Sequence, residues 1–255
     1  MDKLPQFKWR SGYGDVICHR YDDVVQDYWT NVALPALDHA VKEVAFWASN
    51  QEGAAPFVHA NMVDQLSVTA AAMCLSIQSI WERQLRAYLL ACIDWKDDKL
   101  AKRIQHATWD ALQALFTELR GVPMQAFLSY HDLNLLAQLG NVCRHGAGRT
   151  ANALWRNHPS LWPGTTWPAD SALAPPIEQI CIGKELLARM VDAIASFWQM
   201  IGYLYKEGIT VKHESLVRAL PADRAQFADA IAHFNFVVRE IGLVYSTPPG
   251  PASAL

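Results

Sequence analysis

The segment Asn141-Val142-Cys143-Arg144-His145-Gly146-Ala147-Gly148-Arg149 gathers the residue types that hold and transfer charge. Histidine can move a proton near neutral pH, arginine keeps its charge and grips phosphate through paired N–H groups, and asparagine both donates and accepts. Asn141 and His145 are four apart and therefore share one face of a helix. Arg144 adjoins that face, and Arg149 lies just past Gly146 and Gly148, where the backbone can come close to an anion. The charge pattern singles out the same place. From Leu133 to Ala169 there is no Asp or Glu, while Arg144, Arg149, Arg156, His145 and His158 all fall inside. A chain with 22 Lys+Arg and 25 Asp+Glu, net −3, thus carries a local cationic strip. Part of it has a plain cause, because basic residues near a helix C-terminus are favoured by the helix dipole by about 0.3–1 kcal/mol each. The functional reading is an anion or phosphate site, and a smaller variant of it is a nest for a small anion or nucleotide on the Arg144–Arg149 turn.

Other chemistries lack their residues. There is no P-loop, His-Glu-x-x-His, Gly-x-Ser-x-Gly, Gly-x-Gly-x-x-Gly or EF-hand loop. None of the nine histidines pairs with another at three or four residues' spacing, so no metal site is expected. Asp22-Asp23 and Asp97-Asp98 suit helix starts and turns. The five cysteines, at 18, 74, 92, 143 and 181, are odd in number and scattered, which argues against a disulfide framework. Met1-Asp2-Lys3-Leu4-Pro5-Gln6 opens no signal-peptide run, and no stretch reaches the about 18 apolar residues of a membrane span, so a cytoplasmic protein away from membranes is expected. With 51% hydrophobic and only 18% charged residues, the chain can fill a large core.

The elements that must position the strip are helical. Residues 57–120 hold no Gly and no Pro. Asn61 and Asp64 offer a starting cap, and Leu66, Ala70, Met73, Ile77, Trp81, Leu85, Tyr88 and Cys92 recur at helical spacing. Asp94-Trp95-Lys96-Asp97-Asp98 then reads as a turn, and Leu100, Ile104, Ala107, Ala111, Leu115 and Leu119 continue the period, which predicts one long antiparallel helical hairpin. Residues 21–49 form a helix kinked or split at Pro35. Ser129-Tyr130-His131-Asp132 opens the helix that carries the strip, and Gly146 closes it. Ala151, Leu154 and Trp155 form the apolar face of a short following helix. Residues 157–176, with five prolines and two Trp, predict an ordered loop in which Leu161, Trp162 and Trp167 pack. Ile177–Ile182 alternates like one short strand. Lys184–Tyr205 is helical, a last helix starts near Ala222, and Pro248-Pro249-Gly250-Pro251 makes a frayed tail. The expected fold is an all-α helical bundle, a single domain over 1–255.

Gly140-Asn141-Val142-Cys143-Arg144-His145-Gly146-Ala147-Gly148 resembles the signature segment of HEPN-like domains, in which an Arg, often followed by Asn, precedes a His near the end of a helix. Asn141 and His145 fall on the family's Asn and His, and Gly140 stands where its Arg belongs. A preceding long helix with an acidic residue, here Glu82, and a closing helix at 184–205 are also similar. The likeness covers about 60–205, leaving 1–56 and 206–255 as helical additions, and is closest to a branch tied to phage defence, abortive infection and toxin–antitoxin systems.

That resemblance implies a metal-independent endoribonuclease or RNA-binding effector that needs no cofactor and works as a homodimer. His145 then transfers the proton, Asn141 orients His145 or the phosphate, and Arg144 or Arg149 stabilises the phosphoryl charge in place of the missing Arg. Arg149 and Arg156 contribute phosphate contacts, Trp155 is either a stacking platform or core, and Glu82 orients an Arg across helices or pairs with Arg86 on the surface. RNA, such as a tRNA loop, or a protein partner is expected. The alternative is a catalytically silent HEPN-like interaction module, which Gly140 favours.

Overall fold

The computed structural model describes residues 4–168 and 170–242. Its α-helices are α1 (Tyr13–Ile17), α2 (Tyr21–Tyr28), α3 (Leu34–Ser49), α4 (Ala55–Ala91), α5 (Asp98–Gln105), α6 (Trp109–Arg120), α7 (Tyr130–His145), α8 (Arg149–Asn157), α9 (Lys184–Gly208), α10 (Glu214–Gln226) and α11 (Ala228–Glu240). No strand occurs among the described residues, so the all-α expectation holds. None of their helices is long and apolar enough to cross a membrane. The chain divides into two compact units, Met1–His19 with Leu85–Tyr130 and Phe197–Leu255, and Arg20–Gln84 with His131–Ser196, so that α4 and α9 each supply residues to both.

The unit containing the chain's first residues is built around aromatic side chains. Phe127 is its hub, with ring centroids 4.6 Å from Phe197, 5.7 Å from Phe116, 5.9 Å from Phe234 and 6.4 Å from Trp9. Such edge and tilted contacts add about 0.5–1.5 kcal/mol per pair to ordinary burial. Asn235 fastens the N-terminal stretch, accepting from Gln6 N at 2.7 Å and donating to Leu4 O at 2.9 Å. The expected hairpin takes a different course here. Its second arm breaks at His106-Ala107-Thr108, where Thr108 caps α6 by accepting from Ala111 N at 3.4 Å and Arg86 donates to the Ala107 carbonyl at 2.9 Å. Contacts then advance in the same sense along both helices, from Arg86–Ala107 to Tyr88–Phe116 and Cys92–Arg120. α6 therefore runs with α4, not against it, and the hairpin becomes a zigzag of α4, α5 and α6.

In the other unit α4 starts at Ala55, earlier than Asn61, because Pro56 in the first turn loses no intrahelical bond. At 37 residues α4 is about 55 Å long. The segment before it is split as expected near Pro35: a π turn at Trp29–Ala33 precedes α3, absorbing the hydrogen bond that proline cannot donate. The core here is Ile77 and Trp81 of α4, Leu133, Leu136, Leu139 and Val142 of α7, Leu154 and Trp155 of α8, and Leu187, Val191 and Ile194 of α9, all buried. The 157–176 loop is ordered on it. Trp162 is buried, donates to Pro176 O at 3.2 Å and meets Trp155 edge to face at 5.7 Å. Trp167, expected to pack, is 39% exposed and donates within its own loop to Leu173 O at 2.8 Å. Ile177–Gln179 is a 3-10 turn, not a strand, and Cys181 N→Leu161 O at 2.7 Å is the loop's link to this segment.

The last helix expected from Ala222 is two helices, α10 and α11, separated at Phe227. The Pro248–Pro251 tail lies outside the described residues.

Candidate functional site

α7 and α8 position the strip. α7 presents Leu133, Leu136, Leu139 and Val142 to the core, which turns Arg144 and His145 outward in its last turn. Gly146 ends the helix with φ +76°, a left-handed value that favours glycine, and its N–H bonds Val142 O at 2.8 Å. α8 opens three residues later with Arg149. Asn141 Nδ2 donates to Thr150 Oγ1 at 2.7 Å, bracing the end of α7 against the start of α8. Asn141 therefore braces the turn that follows His145. His145 and Arg149 are exposed, and neither forms a hydrogen bond or ion pair among the described residues.

Arg144 is exposed yet held. Its Nη2 donates to Gln78 Oε1 at 2.9 Å, and Gln78 Nε2 donates to Glu82 Oε1 at 2.6 Å. Gln78 is 3% exposed, and its amide lies between the two charges with its oxygen toward the guanidinium and its nitrogen toward the carboxylate. Glu82 thus reaches an Arg across helices through an intermediary that the sequence had not singled out. Gly140 is part of the same arrangement, because a Cβ there would lie 3.0 Å from Gln78 Cγ and closer still to its Cδ and Oε1. A side chain at the place where the HEPN-like motif carries an Arg would here displace Gln78, and the cation that reaches Gln78 comes from Arg144, one turn later.

The remaining residues sort by burial. Trp155 is 4% exposed, so it is core and not a stacking platform. Arg156 is exposed, with its Nε donating to Asn152 O of its own helix at 3.3 Å. Asn152 Oδ1 in turn accepts from Ala174 N at 2.9 Å and fastens the loop. Gln78 and Thr150 were missed in the sequence. The only signal for Gln78 was an amide four residues before Glu82 on a nearly uncharged helix.

Two thiols lie beside this network. Cys74 of α4, one turn before Gln78, is fully buried, and Cys143, which is half-buried, precedes Arg144. The interaction of the two thiols pushes Cys143 below its ordinary value, and with burial it pushes Cys74 up. Among the described residues no three His, Cys, Asp or Glu side chains converge where a metal ion could be held. The arrangement offers one imidazole and two guanidiniums on an exposed turn, apt for a phosphate and for proton transfer beside it.

No family model, no curated protein and no solved structure matches the chain.

Proposed function

We propose that the chain is a HEPN-like RNA-binding effector with metal-independent endoribonuclease chemistry, of the kind used in defence or toxin–antitoxin systems, acting as a cytoplasmic homodimer. The observation that carries this reading is the exposed cationic turn, with Arg144 steadied by Gln78 and Glu82 while His145 and Arg149 stay open. In the reaction an RNA 2′-hydroxyl attacks the adjacent phosphorus and the P–O5′ bond breaks. His145 moves a proton, and Arg144 or Arg149 meets the charge that grows on the phosphoryl oxygens. One chain supplies one His145, and a second copy supplies the partner acid or base.

A surface for that second copy is available on α4, where Phe57, Val63 and Val68 are exposed and Asp64 is the sole Asp, Glu, Lys or Arg from Ala55 to Trp81. A nearly uncharged stretch of helix meets its own copy without like-charge repulsion. The silent interaction module is the second reading, and Gly140, packed against Gln78 where the motif has Arg, favours it.

RNA binding is common to the catalytic and effector forms, so it is the first test. Arg144→Ala is expected to weaken tRNA binding and to lower the slope of log affinity against log salt by about one, whereas Arg218→Ala, exposed on α10, leaves both unchanged. Equal effects would remove the strip from the argument.

A further inference from the structure

We infer that α4 pairs antiparallel with α4 of a second copy of this chain, along a seam of Phe57, Asn61, Asp64 and Val68. The inference deepens the homodimer of the proposed function and rests on that part of it. Of residues 38–69 only Ala55 is buried. The end of α3 and the start of α4 therefore lie outside the core of their unit, although packing supplies most of the stability of a helix in a protein. Val58, Met62 and Leu66 are half-buried and share one side of α4. Phe57, Asn61, Asp64 and Val68 advance by four, three and four residues, so they share another side. All four are exposed there, Phe57 at 77% and Val68 at 69%.

The two polar residues in the middle of that side choose the occupant. Asn61 and Asp64 would cap a helix that began beside them, but α4 begins at Ala55, so neither serves as a cap. Neither forms a hydrogen bond or ion pair among the described residues. One antiparallel register gives both a partner. Phe57 and Asn61 are four residues apart, as are Asp64 and Val68, so setting Asn61 opposite Asp64 of the second copy also sets Phe57 opposite its Val68. The two-fold axis passes between Asn61 and Asp64, and every contact occurs twice. Each Asn61 side-chain N–H then donates to a facing carboxylate, a charge-assisted bond, and the apolar pairs close both ends. In a parallel pair Asp64 would face Asp64, and like charges would oppose the contact. Polar residues inside an otherwise apolar helix seam fix orientation and register in this way. From Ala55 to Trp81 no other Asp, Glu, Lys or Arg occurs, so this stretch offers little to a strongly charged partner and nothing else that repels its own copy.

The test uses the full-length chain. Sedimentation equilibrium of the wild type is expected to show a reversible dimer. Phe57→Cys and Val68→Cys proteins, mixed and treated with a short bismaleimide, are expected to link position 57 of one copy to position 68 of the other, as read by mass spectrometry of the digest. In that register the two copies of position 57 lie about 16 Å apart along the seam, so Phe57→Cys protein alone is not linked to itself there. Asn61→Asp sets carboxylate against carboxylate and is expected to weaken the dimer about tenfold or more, whereas Asn61→Lys leaves it as tight or tighter. The substituted positions are exposed, and matching circular dichroism spectra check that each variant folds. Links from 57 to 57 and from 68 to 68, or an Asn61→Asp dimer as tight as the wild type, would overturn the seam and leave the homodimer standing. A monomer at every concentration would overturn both and give this side of α4 to a different protein. Transfer RNA binding by the cationic turn is measured separately, so its failure and that of the seam are told apart.

Discussion

Arg120 and Arg144 are both held by side-chain networks, and they differ in what is left over for a ligand. Arg120, with its side chain 6% exposed, donates to both oxygens of Asp15 at 3.1 Å and to Arg10 O at 2.9 Å. The Asp15 carboxylate, at 0% exposure, also accepts from Tyr88 Oη at 2.8 Å, Trp9 Nε1 at 3.2 Å and Gly12 N at 2.8 Å. The guanidinium lies 4.2 Å from the Trp9 ring centroid and 5.5 Å from that of Tyr88. Burial pushes the Tyr88 phenol well above its ordinary value, so it remains a donor. Charge meets charge inside the fold, and nothing faces outward. Arg144 instead bonds a neutral amide, and its positive charge stays at the surface next to His145. An arginine satisfied by a buried carboxylate is a structural tie, and one steadied by an amide is a pre-positioned cation.

The largest effect that separates the two is on stability. Asp15→Ala should cost about 3–5 kcal/mol in chemical denaturation, because it leaves the Arg120 charge buried and unpaired, while Arg144→Ala should leave the unfolding midpoint where it was. A cost below about 1 kcal/mol for Asp15→Ala would mean that water enters and the tie is not structural. Next comes Gly140→Ala, whose added methyl displaces Gln78. It should cost about 1–3 kcal/mol and should weaken tRNA binding as Arg144→Ala does. Full binding by a destabilised Gly140→Ala protein would uncouple Gln78 from the cation. The smallest effect is the pair itself. A double-mutant cycle of Gln78→Leu and Arg144→Ala on RNA binding should give a coupling of about 0.5–1.5 kcal/mol, and strict additivity would leave Arg144 acting without its support.

How much of this was legible in the sequence follows from which contacts are local. The limits of α7 and the buried face of α9 could be read because a capping segment, glycines and an unbroken helical period mark them. The break between α5 and α6 could not, since Ile104, Ala107, Ala111 and Leu115 keep their period across it and only the Thr108 cap betrays the bend. α10 was hidden by Pro221 inside it and by its polar composition. Ile177–Ile182 misled because six residues are too few for alternation to separate a strand from an irregular segment, and Ile177–Gln179 is a 3-10 turn. Asn141 and His145 stood out through spacing, whereas Gln78 and the Asp15–Arg120 pair, whose partners lie 66 and 105 residues away, depend on tertiary contacts that no local pattern encodes. Gly140 read as a missing catalytic residue until its contact with Gln78 gave it a packing cause.

The account turns on whether the open histidine of the cationic turn does chemistry. Purified wild-type and His145→Ala proteins would each be incubated with total cellular RNA and defined tRNAs in excess EDTA and resolved on a denaturing gel, with helical circular dichroism recorded on both. Cleavage by the wild type alone, unaffected by chelator, with matching spectra, is the predicted result. Cleavage that survives His145→Ala, or no cleavage by the wild type, would contradict it and leave the silent interaction module as the better description.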